Sequence, residues 1–139
     1  MSENSFVTYC RKGLGSYGEV QKHNDITEGI SDLSIYLRDA DKTVWMELKV
    51  IDDAPVKPTT RIFWEHYTEQ QALWIRRRKG WLFVRVKWAS ARASYYLFTG
   101  AEAWAMWEAR GYPREKFIEC AHSAWHNVVN WHELKRVIE

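Results

Sequence analysis

Cysteine is scarce in this chain, and Cys10 and Cys120 stand far apart with no C-x-x-C spacing, so no disulfide framework is legible and a reducing compartment fits. A charge excess of one sign is missing too. The 20 Lys and Arg against 18 Asp and Glu leave a formal charge of +2, so any surface for nucleic acid has to be local. No run approaches the ~20 apolar residues of a membrane span, and Met1-Ser2-Glu3-Asn4-Ser5 is not a basic leader before an apolar segment. These absences lead us to expect a cytoplasmic protein with no membrane partner. Gly15-Ser16-Tyr17-Gly18 lacks the G-K-[ST] ending that a phosphate-binding P-loop needs and reads as a turn. The 139 residues, 46% of them hydrophobic, suffice for one domain with a core and are too few for two.

Alternation is what the chain does have. In Val44-Trp45-Met46-Glu47-Leu48-Lys49-Val50, read as a strand, the apolar Val44, Met46, Leu48 and Val50 share one face and Trp45, Glu47 and Lys49 the other. Residues two apart on one face lie roughly 6.5 to 7 Å from each other, so a carboxylate and an ammonium can both reach one small reactant. Upstream, Leu33, Ile35 and Leu37 alternate with Asp32, Ser34 and Tyr36, and the polar Arg38-Asp39-Ala40-Asp41-Lys42 between the two runs predicts an antiparallel hairpin. Asp32 and Glu47 then become neighbours, and two acidic oxygens from adjacent strands suit a hard divalent cation.

The flanking segments are less regular. Residues 5–14 read as a short helix that turns Phe6, Val7 and Tyr9 or Cys10 inward and is ended by Gly13 or Gly15. Residues 19–25 read as a short strand or an extended loop, with His23 and Asp25 close in sequence to Asp32, as solvated residues or as catalytic assistants. Pro55 and Pro58 make residues 51–60 a loop beside the Glu47 strand, where Lys57 and Arg61 are candidates to meet a phosphate. Thr68-Glu69-Gln70-Gln71 has the form of a capping box and opens a helix that carries Arg76-Arg77-Arg78-Lys79 at its end and stops at Gly80. Those cations compensate the helix dipole, and Arg76 and Arg77 are further candidates to grip a nucleic-acid backbone. Residues 81–88 and 95–98 read as a second hairpin, with Arg85 and Lys87 on one face, turned to nucleic acid or to water. Thr99-Gly100-Ala101-Glu102 is a second capping box for a helix ended by Gly111, Pro113 starts another through Ala121, and residues 125–138 have helical period through Val128, Trp131, Leu134 and Val137 or Ile138. His122 and His126, with Cys120 nearby, have an i, i+4 spacing but no H-E-x-x-H pattern or second Cys pair to make a zinc site. Nine tryptophans suit a core, stacking on bases or a partner interface, and composition does not choose among these.

Gly29 and Asp32, then a strand carrying Glu47-x-Lys49, then a helix opening at Thr68 before Gly80 and a further strand, resemble in order and spacing the PD-(D/E)XK nuclease superfamily. Within it, the chain looks most like the small VRR-NUC type, found alone in phages and as a nuclease domain in larger repair proteins. The likeness spans residues 29–98, with Ser31 where a proline often precedes the first Asp. It implies an α/β fold with a restriction-endonuclease-like α/β/α core, a central mixed β-sheet and extra C-terminal helices. One nuclease domain would fill residues 1–139, its motif core at residues 19–98 and a helical part at 99–139. Asp32, Glu47 and the Leu48 carbonyl would hold Mg²⁺ or Mn²⁺, and Lys49 would position or activate water. The family carries a glutamine three residues before a bulky apolar residue, a spacing that Gln71 has with Trp74; Gln71 is therefore a catalytic or a capping residue, with Gln70 as the alternative. The acidic residue on the family's N-terminal helix would be Glu3 or Glu19. Small stand-alone members cut four-way Holliday junctions in DNA, which implies a homodimer supplying two cuts, in a bacterial cytoplasm if the chain is phage-encoded. A nuclease acting on flaps, general DNA or RNA, and a non-catalytic nucleic-acid-binding domain of the same fold, are the alternatives.

Overall fold

The computed structural model describes residues 1–23, 31–63, 66–89 and 91–139. Along these the elements are α1 (Glu3–Leu14), β1 (Gly18–Lys22), β2 (Leu33–Leu37), β3 (Lys42–Ile51), α2 (Glu69–Arg77), β4 (Trp81–Lys87), β5 (Ala93–Thr99), α3 (Gly100–Glu108), α4 (Arg114–Cys120), β6 (Ser123–His126) and α5 (Trp131–Ile138). The strands form a six-stranded sheet in sequence order, β1 to β6. Every neighbouring pair is antiparallel except β3 and β4, which run parallel. A parallel neighbour cannot be reached by a tight turn, so the chain between them crosses one face of the sheet and carries α2 with it.

Helices cover both faces, which explains why β4 and β5 are almost continuously apolar. On one face Phe6, Cys10 and Leu14 of α1 and Leu134 and Ile138 of α5 pack on Ile35, Met46, Leu48 and Phe83. On the other, Ala72 of α2, Met106 of α3 and Phe117 of α4 pack on Leu82, Val84, Tyr96 and Phe98. The predicted α/β class and mixed sheet are thus present. Phe83 is ringed by Phe6 at 5.3 Å and by Tyr95 and Trp125 at 6.1 Å, and truncating so enclosed a ring costs about 3–5 kcal/mol.

The helix ends follow the capping logic with one change. Ser2 caps α1, and Thr68 with Gln71 and Thr99 with Glu102 form complete capping boxes on α2 and α3. The left-handed residue that closes α2 is Lys79 (φ 52°), not Gly80. Gly80 is small for another reason: a Cβ there would lie 2.8 Å from the Trp45 carbonyl oxygen.

The C-terminal part departs from expectation. Residues 123–126 form β6 and pair with Ser94–Leu97 of β5, and the last helix starts only at Trp131. Without β6, β5 would leave a row of open N–H and C=O groups. Val128, expected on the apolar side, is 65% exposed, and Val129 takes the inward place. The helical spacing of His122 and His126 is lost with the helix. The ring of His122 lies 5.4 Å from that of Trp81, and His126 Nδ1 is 2.9 Å from Ser94 Oγ. Trp104 and Trp107, stacked at 5.3 Å, are partly covered, as is Trp131, and Trp125 is buried.

Candidate active site

The hairpin register builds the first half of the site. Leu33 pairs with Met46, so Asp32, just before β2, falls opposite Glu47. The Asp32 N–H donates to Glu47 Oε2 at 3.2 Å, and the Leu48 N–H donates to Asp32 Oδ2 at 2.9 Å. In an extended strand the N–H and C=O of one residue point to the same side, so the Leu48 carbonyl faces the edge where Asp32 lies. The turn that fixes this register is closed by Asp41 at φ 47°, a conformation that Asp tolerates better than most residues.

The crossover builds the second half. The charged face of β3 is roofed, leaving Glu47 1% and Lys49 4% exposed. Lys49 Nζ is 3.6 Å from Glu47 Oε1 and donates to the His66 carbonyl at 3.4 Å. From α2, Gln71 Nε2 donates to Glu47 Oε1 at 3.1 Å, while Gln71 Oε1 accepts from the Thr68 N–H at 3.1 Å. The one amide thus closes the cap of α2 and touches the Glu47 carboxylate. Burial pushes the Glu47 carboxyl well above the usual range, the Asp32 carboxylate adds to this, and the Lys49 ammonium pulls the other way. Tyr67, 2% exposed, is also held up by burial and by the charge of Glu47.

The chain matches no protein-family model, and no curated protein is significantly similar to it. Two crowded carboxylates, one of them buried, beside a carbonyl oxygen form a hard-oxygen donor set, and a divalent cation would relieve the charge that Asp32 and Glu47 impose on each other.

Asp32, Glu47, Lys49 and Gln71 come together, whereas exposed Gln70 has no place in the cluster's hydrogen bonds. The other candidates are scattered. Arg61 Nη1 donates to the carbonyls of Ala109 and Gly111 at 3.1 and 2.6 Å and so closes the end of α3. Lys57 is exposed in the loop that Arg114 ties down through the Pro55 carbonyl. Arg76 and Arg77 are exposed at the end of α2, with Arg76 5.5 Å over the Trp104 ring. Glu19 sits opposite Tyr36, four residues along from Asp32, while Glu3 opens α1 next to Asn4, which accepts from Lys22 at the Asp32 end of the sheet. Gly29 and Asp25 lie outside the described residues. The His23 N–H donates to the Asp32 carbonyl at 2.8 Å, and its ring lies 5.3 Å from Trp45, which meets Trp74 edge-on at 4.7 Å. Sequence reasoning missed Tyr67 and the His66 carbonyl, because nothing in their neighbourhood has a period that reveals what the crossover brings over Glu47.

Proposed function

We propose that the chain is a divalent-metal-dependent nuclease of the PD-(D/E)XK type that hydrolyses phosphodiester bonds in DNA. The observation that carries this reading is the convergence of Asp32, Glu47 and a buried Lys49 beneath Gln71. Asp32, Glu47 and the Leu48 carbonyl would hold Mg²⁺ or Mn²⁺, which when bound supplies charge neutralisation at the phosphate and a water of lowered pKa. The chain's own groups supply the rest. The Lys49 ammonium, buried beside Glu47, compensates negative charge that develops on the phosphate oxygens, and it does so more strongly than in water because the site is enclosed. Gln71 restrains one Glu47 oxygen and the Asp32 N–H the other, so the carboxylate is oriented before substrate arrives. The α/β/α layering and the β2–β3 hairpin running into a crossover helix support the same reading.

Branched DNA, in particular a four-way junction, is the proposed substrate, with a homodimer supplying the two symmetrical cuts that one site per chain cannot make. The test has two stages. Mn²⁺ should raise the melting temperature of the wild type and not of Asp32→Asn. Cleavage of a four-way junction is then compared with that of linear duplex, flap, single strand and matched RNA, alongside solution mass. Absence of any Mn²⁺ effect would overturn the metal site, and a monomer that degrades linear DNA as fast as the junction would overturn the substrate.

A further inference from the structure

On the sheet face opposite the carboxylates, where the β4–β5 hairpin turns, an open cavity of about 440 Å³ is lined by Arg85, Lys87, Arg92, Ala93, Tyr95 and Asn127. The strand pattern builds it. Arg85 and Lys87 alternate along β4 onto the face that carries Phe83, and in the β5 register they stand opposite Tyr95 and Ala93. Ala93 is short, which leaves room beside Lys87. The Asn127 N–H donates to the Ala93 carbonyl at 2.8 Å, bringing the turn after β6 to the rim.

Among the described residues the lining carries three cations and no carboxylate, in a chain whose formal charge is only +2. Asp52 lies 3.3 Å from Arg85 Nη1, but the same oxygen also takes the Met1 ammonium at 3.1 Å, so it does not neutralise the group. Arg85 Nε is buried and has no hydrogen-bond partner among the described residues. A buried donor without an acceptor is costly. Asp52 on Nη1 anchors the guanidinium at the cavity wall, where its charge adds to those of Lys87 and Arg92.

We infer that this cavity is a phosphate-binding site, separate from the carboxylate cluster, taking a phosphate group of a nucleic-acid backbone or of a free nucleotide or polyphosphate. Its volume suits a phosphate with an attached group rather than a bare ion alone. None of its lining residues contributes to the Asp32–Glu47 cluster, so it stands or falls independently of the nuclease reading.

The test titrates wild type with pyrophosphate, and separately with a short single-stranded oligonucleotide, at low salt and with metal chelated, following the Arg85 Nε–H resonance and the affinity. Lys87→Gln/Arg92→Gln changes two exposed side chains and is expected to leave the fold intact. Saturable binding that shifts the Arg85 resonance and weakens about tenfold or more in this variant is the expected result. A tighter oligonucleotide then assigns the site to a nucleic-acid backbone and a tighter pyrophosphate to a free phosphate. No saturable binding of either probe, an unmoved Arg85 resonance, or equal affinity in the double variant would overturn the site.

Discussion

Gln71 donates to Glu47 Oε1 at 3.1 Å across 24 residues of sequence, with the same amide group that closes the capping box on α2. One side chain thus ties the start of a helix to a buried carboxylate on the neighbouring strand. The position of α2 along the sheet and the orientation of Glu47 are set together.

The two duties of Gln71 separate by mutation. Thr68→Ala removes only the cap acceptor and should cost about 1 kcal/mol of stability with little change in cleavage. Gln71→Ala should cost a similar amount but lower the cleavage rate by about two orders of magnitude, because the carboxylate loses its restraint. Denaturant melts and Mn²⁺-dependent cleavage of both variants check this, and a Gln71→Ala protein of normal specific activity would leave only the cap.

Lys49 is 4% exposed, so removing its charge is not a surface change. Lys49→Met keeps the stem but leaves Glu47 buried without its cation, which should cost about 3 kcal/mol near neutral pH. The folded-state pKa of Glu47 is already raised, so the native state holds its proton above the ordinary carboxylate range. Stability of this variant should therefore fall as pH rises from that range toward neutrality, where Glu47 must ionise. Glu47→Gln/Lys49→Met should regain most of the loss, and both proteins should be inactive. Equal stability of the single and double variants in urea melts would show that the two groups are not linked.

Gly13 lies inside α1, where alanine ordinarily stabilises a helix by about 1 kcal/mol. Here a Cβ would enter the indole of Trp131, which packs on Tyr9 with ring centres 5.0 Å apart. Gly13→Ala should therefore lower the melting temperature, and in a Trp131→Ala background the same change should raise it.

Burial pushes the Cys10 thiol far up, whereas Cys120 is partly exposed. At mildly alkaline pH the native protein should react with one equivalent of a thiol reagent, at Cys120, and the unfolded protein with two. Rapid labelling of both in the native state would show that the α1 layer opens.

The hairpin was legible because Leu33 to Leu37 and Val44 to Val50 alternate on both sides of one polar turn, and the two capping boxes because their chemistry lies within four residues. Strand β6 was not legible. Ser123-Ala124-Trp125-His126 is too short to show a period, and it is a strand because β5 needs an edge partner, a tertiary cause. Arg61 read as a phosphate ligand from its neighbours, yet it spends its guanidinium on the end of α3, nearly fifty residues away in sequence. Asp32, Glu47 and Lys49 could be paired from local spacing, whereas Tyr67 could not, since its place over Glu47 depends on the path of the crossover.

The single parallel pair in the sheet also sets an order of assembly. Asp32 meets Glu47 by closing a hairpin over 15 residues, a local event that is entropically cheap. Gln71, Tyr67 and the His66 carbonyl arrive only once β4 has docked beside β3, a non-local and slower step. During synthesis the two carboxylates therefore face each other, wet and uncovered, before the ammonium and amide that restrain them have any roof to hold them. The hydrogen-bonded cluster around Glu47 is complete only when the crossover has closed, not when the hairpin has.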